Sequence, residues 1–114
     1  MTLHHLPREN ALRFHFVPQA VIDRSPEFFA AKGAEFEEGR DDFDDFVVSS
    51  LTLDSGLPFA LLRYISSPDN KTTIFLPQQV PLARVEQIVE EILVAFGLSI
   101  SAVNWVRKQE NTPF

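Results

Sequence analysis

Apolar residues recur at Leu82, Val85, Ile88, Val89, Ile92, Leu93 and Phe96, the spacing of one helix face, while Arg84, Glu86, Gln87, Glu90 and Glu91 fall on the other. The pattern predicts a long helix over 81–96. Pro81 suits its first turn, and Gly97 followed by Leu98 suits a Schellman-type end. Ser25-Pro26-Glu27 is a second helix start, and Gly33 is placed to close a short helix over 26–32.

The rest of the pattern has period two or is rich in β-branched residues. Leu12, Phe14 and Phe16 alternate with Arg13, His15 and Val17, which predicts a strand over 12–17 ended by Pro18. FVVSSLTLD predicts a strand over 46–54, with Leu51 and Leu53 on one face. PFALLRYI predicts another over 58–65, and TTIFL a third over 72–76. The turn residues Asp54-Ser55-Gly56 and Ser67-Pro68-Asp69-Asn70 separate these three, so they read as an antiparallel meander. Between 100 and 107, Ser101, Val103 and Trp105 alternate with Ile100, Ala102 and Asn104, a last strand for which a short helix is the competing reading. Reached through a helix crossover, it is expected to return parallel. The expected fold is α+β, a two-layer sandwich of a mainly antiparallel sheet under one long helix. With 114 residues and no linker or repeat, residues 1–114 form a single expected domain.

Charge changes this picture in one place. Residues 1–34 carry a net +1, residues 35–54 a net −7 and residues 55–114 none, so the whole net charge of −6 sits in one stretch. Within it, Glu37, Glu38, Asp41, Asp42, Phe43, Asp44 and Asp45 form a candidate partner-binding surface: the acids would steer a basic protein and the aromatic would anchor it. The competing reading is a solvated loop whose phenylalanines tuck into the core. In either case the adjacent aspartates are expected to raise one another's pKa by repulsion. The same acidity speaks against nucleic acid, whose binding rests on phosphate neutralisation, and against anionic membrane surfaces.

Motif chemistry narrows the functions further. There is no cysteine, so thiolate metal sites and cysteine nucleophiles are excluded. His4 and His5 are adjacent, His15 lies on the first predicted strand, and no H-E-x-x-H or EF-hand spacing occurs, so no metal ligand is assigned. Gly33, Gly39, Gly56 and Gly97 are too far apart for a phosphate loop, and no serine sits in G-x-S-x-G. No catalytic residue and no cofactor is therefore expected. The start of the chain, MTLHHLPREN, lacks the apolar run of a secretion signal, and the longest apolar run is too short for a membrane span, which makes the cytoplasm the expected location. Leu93, Val94, Ala95 and Phe96 are consecutive and apolar, so the last turn of the long helix offers apolar groups all round. Together with Trp105, the residues Leu93, Val94 and Phe96 form a candidate homodimer interface. The function expected from these features is a small non-catalytic protein-interaction module. The alternative is a ligand-binding protein or enzyme with a pocket between the long helix and the sheet.

Overall fold

A computed structural model describes residues 4–6 and 14–108. Its described residues form an α+β fold: a seven-stranded, wholly antiparallel sheet with two α-helices against its core face. In chain order the elements are β1 (His4–His5), β2 (Phe16–Ile22), α1 (Pro26–Ala31), β3 (Glu37–Arg40), β4 (Asp45–Thr52), β5 (Pro58–Tyr64), β6 (Thr72–Pro77), α2 (Leu82–Ala95), a 3-10 turn (Ile100–Ala102) and β7 (Val103–Val106). The strands lie in the order β1-β4-β5-β6-β2-β7, and β3 pairs with β4. The meander β4-β5-β6 is therefore as the sequence predicts.

The helix ends follow from their glycines. At α2, Gly97 takes φ 76°, its N–H reaches Val94 O at 3.0 Å, and Leu98 N–H reaches Leu93 O at 2.8 Å. That pair of bonds is a Schellman closure. Gly33, with φ 111°, closes α1 in the same way through Ala30 O and Phe29 O.

Three expectations need correction. The strand expected at 12–17 is β2 at 16–22: Phe14 and His15 precede it, and residues 12 and 13 lie outside the described set. Pro18 does not end this strand but sits inside it. The pairing with β6 slips between Pro18 and Ala20, and a bulge is where a residue without an N–H fits a sheet. The segment 100–107 divides into the 3-10 turn and the short strand β7, so both readings of it hold in part. Finally, β7 pairs antiparallel with β2. It runs in the same sense as β6, as a crossover strand does, but β2 lies between the two and reverses the local pairing.

Two short strands have no counterpart in the sequence reading. β1 pairs with Leu51 and Thr52, and β3 pairs with Asp45 to Val48, so both lie along the same edge of β4. His5 Nε2 accepts the Glu35 N–H at 3.0 Å, and His4 Nε2 lies 3.6 Å from Asp54 Oδ1.

Register assigns every strand residue to a face. Ala20, Ile22, Leu51, Phe59, Leu61, Ile74 and Leu76 point to the helices, where Phe29, Val85, Ile88, Val89, Ile92, Leu93 and Phe96 complete a closed core. Phe29 meets Phe96 edge-on at 4.9 Å. Side chains thus fill the space between the middle of the long helix and the sheet. No helix among the described residues is long and apolar enough to cross a membrane.

Candidate functional site

Among the described residues, no helix lies on the other face of the sheet. Strand alternation places Phe46, Val48 and Ser50 of β4 on this face, beside Ala60, Leu62 and Tyr64 of β5 and Phe75 of β6. Phe16 and Pro18 of β2 continue it, and Trp105 of β7 stands opposite Val21 at its far side. An antiparallel sheet packed on one side usually turns polar residues outward. Here most outward positions of three neighbouring strands are apolar, with Ser50 and Tyr64 among them, and they form a cavity of about 360 Å³. Leu6 and Phe14 line it as well.

The acidic segment forms the rim of this cavity. Glu37, Glu38, Gly39 and Arg40 of β3 and Asp41 beyond it are among the lining residues. Gly39 stands opposite Phe46, and the Phe46 ring lies across it. That ring in turn meets Tyr64 edge-on at 6.0 Å. The rim therefore offers three carboxylates against one guanidinium, and Arg40 Nε already lies 3.4 Å from Asp45 Oδ1.

The segment is not a loose acidic loop. Asp41 Oδ1 accepts the N–H groups of Phe43 (2.8 Å) and Asp44 (3.2 Å), which fixes the turn between β3 and β4. Its Oδ2 accepts the Tyr64 hydroxyl at 2.5 Å. Asp44 Oδ2 accepts the Ser66 N–H at 2.7 Å, and Asp45 O accepts the Ile65 N–H at 2.9 Å. Two aspartate side chains and one backbone carbonyl thereby tie the hairpin tip to the end of β5. The expectation that the aspartates raise one another's pKa holds only as a small effect of Asp44 on Asp41, and hydrogen bonds outweigh it so that both carboxyls are lowered. The Tyr64 hydroxyl, then the Phe43 N–H, hold the Asp41 carboxyl below its ordinary value. Ser66 does the same for Asp44. Burial, and then the bond to Asp41, push the Tyr64 hydroxyl up to about 12.

Of the seven residues expected at a partner surface, Glu37, Glu38 and Asp41 line the cavity. Asp42 and Phe43 stand at the exposed hairpin tip, with Phe43 87% exposed. Asp44 and Asp45 are engaged in the bonds just described. The four residues expected at a dimer interface do not share a surface. Leu93 and Phe96 are 0% and 1% exposed within one chain, because they complete the core under α2. Val94 points away from that core, and Trp105 belongs to the open sheet face on the far side of the sheet. His15, expected on a strand, is exposed just before β2.

Sequence reasoning missed the apolar side of the cavity: Phe16, Val48, Leu62, Tyr64 and Phe75. A signal for it was present. The run PFALLRY is apolar at both parities, which is more than a sheet with helices on one side can bury. Among the described residues no group of three His, Asp or Glu side chains is placed to hold a metal ion. Comparisons with protein-family models, with curated proteins and with solved structures find no match to this chain.

Proposed function

We propose that the protein is a non-catalytic binding module in which the sheet face opposite α1 and α2 takes an apolar segment of a partner protein flanked by basic residues. One observation supports this reading: the outward residues of β4, β5 and β6 are mostly apolar, and the strand bordering them carries acids. The cavity is at the small end of the range that accommodates ligands, enough for a few side chains of an extended segment. Glu37, Glu38 and Asp41 complement lysine or arginine beside those side chains, and the exposed Phe43 extends the contact past the rim.

Fluorescence anisotropy with a labelled peptide of alternating leucine and phenylalanine tests this, using lysine flanks in one version and glutamate flanks in another. The lysine version binds in the micromolar range and weakens with salt, and the glutamate version binds far less. Leu62→Gln, checked for folding by circular dichroism, removes the binding. Equal binding of both versions overturns the proposal. So does self-association through this face in light scattering, lost in Leu62→Gln, or a small apolar dye that binds where the peptide does not.

A further inference from the structure

β1 is only two residues long, and its pairing with β4 sets His4 opposite Thr52 and His5 opposite Leu51. So short a ladder holds little by itself, and side-chain links decide whether it stays in place. Register puts the two histidines on opposite faces of the sheet. His4 shares a face with Thr52 and Ser50, and His5 shares the core face with Leu51.

Their ring nitrogens meet opposite kinds of partner. His4 Nε2 lies 3.6 Å from Asp54 Oδ1, a carboxylate oxygen that suits a protonated ring. His5 Nε2 instead accepts the Glu35 backbone N–H at 3.0 Å. An imidazole nitrogen accepts only while it carries no proton, and a charged ring has a donor on both nitrogens. The bond therefore requires a neutral His5 with its proton on Nδ1. Glu35 lies just before β3, so this bond joins β1 to the chain leading into the next strand along the same edge. Of the other charged groups on that edge, Glu37 pairs with Val48 and stands on the face opposite His5, and Asp54 lies against His4. Among the described residues no carboxylate, that of Glu35 included, is within ion-pair reach of the His5 ring.

We infer that His5 is a pH-sensitive catch for β1: neutral, it holds the strand on β4 through Glu35, and protonated, it lets the strand go. Histidine is the side chain that changes charge between roughly pH 5 and 8. Docking of β1 is complete at the upper end of that window and weakens as the pH falls. The exposed His4–Asp54 pair acts in the opposite sense but adds little, as exposed ion pairs do. Leu6 moves with β1, because its N–H donates to Ser50 O at 2.9 Å and its side chain lines the cavity on that face. Release takes Leu6 out of the cavity wall and bares the edge of β4 at 50–52. The inference concerns β1 alone and holds whether or not a peptide binds on that face.

Nuclear magnetic resonance of the full chain tests the inference. Long-range proton–nitrogen spectra at about pH 8 show a neutral His5 ring with its proton on Nδ1. Amide exchange at Leu6, measured against the intrinsic rate, loses about fivefold or more in protection on going to about pH 5, the scale of one lost hydrogen bond. His5→Gln places an amide oxygen where Nε2 stood, an acceptor that takes no proton, so Leu6 stays protected and the pH dependence disappears. His5→Phe has no acceptor and gives the low protection throughout. His4→Gln leaves the pH dependence in place. The inference is overturned by a His5 proton on Nε2 at the higher pH, or by a Leu6 amide that is unprotected there or equally protected at both values. It is equally overturned if either His5 variant keeps the pH dependence of the wild type.

Discussion

Replacing Gly39 by alanine puts a methyl group into the contact that joins the acidic strand to the sheet. A Cβ at this position would lie 2.5 Å from Phe46 Cε1 and 2.6 Å from its Cζ, closer than carbon atoms approach. The ring has limited room to yield, because it packs against Tyr64 in an edge-to-face pair at 6.0 Å. Overpacking of this kind costs about 1–3 kcal/mol. Removing a glycine from a strand returns about 0.5–1 kcal/mol of chain entropy. The net expectation is a loss of roughly 1 kcal/mol, which lowers the melting temperature of a domain this size by about 4 °C. Urea titration of Gly39→Ala, Phe46→Leu and the double variant isolates the contact. With leucine at 46 the alanine has space, so Gly39→Ala becomes neutral or stabilising there, and the cycle yields a coupling of about 1–2 kcal/mol. Wild-type stability in Gly39→Ala, together with a coupling near zero, would refute the reasoning, since it would mean that β3 and the ring are free to part.

Four further outcomes follow from the same geometry. Tyr64 is the one tyrosine, so ultraviolet titration reads it alone; its midpoint lies near pH 12, and a value at the ordinary 10.0 removes the argument from burial and Asp41. Because the fold favours the protonated phenol, the stability Tyr64 contributes is complete below pH 10.0 and is lost as the pH rises toward about 12. The Asp41 and Asp44 carboxyls titrate below 3.8 by carbon-detected resonance, and their contribution is lost only as the pH falls through those lowered values; midpoints above 3.8 would restore mutual repulsion as the dominant effect. Phe29→Ala costs about 3–5 kcal/mol in urea unfolding, because its ring is fully buried against Phe96, and a loss below about 1 kcal/mol would place that ring outside the core. Val94→Glu changes stability by no more than about 0.5 kcal/mol, as a solvent-facing change does, whereas a larger loss that depends on protein concentration identifies a second copy on that face.

What the sequence discloses depends on how much each element owes to its own residues. α2 was legible because Val85, Ile88, Val89, Ile92 and Leu93 share one stripe and Gly97 closes it, all within a local stretch. The meander was legible because β-branched runs alternate with turn residues. β3 was not, since Glu37-Glu38-Gly39-Arg40 has no apolar residue to bury. It is a strand because the turn fixed by Asp41 lays it along β4 and because Phe46 covers its glycine. Pro18 misled for a related reason: its tolerance inside β2 depends on a bulge that only the partner strand defines. The candidate site was half legible. Its acids stood out as a run, but the apolar half comes from β2, β4, β5 and β6, and their meeting on one face is a property of register rather than of any local pattern.

The position of β2 has a consequence for how the chain reaches this structure. Residues 16–22 lie between β6 and β7, paired with partners fifty or more positions later: Phe16 with Pro77, Ala20 with Ile74 and with Val106. The local meander β4-β5-β6 can form through its own short turns, but β2 has nothing to pair with until β6 exists, and only one partner until β7 arrives. Closing such long loops before any contact rewards them slows folding toward the millisecond-to-second range of sheet-rich domains. In the interval, β6 is an open edge beside an unfinished core. The first described long strand of the chain is thus set in place near the end of assembly, and a nascent chain that stops short of Val103–Val106 leaves β2 holding the sheet's exposed margin.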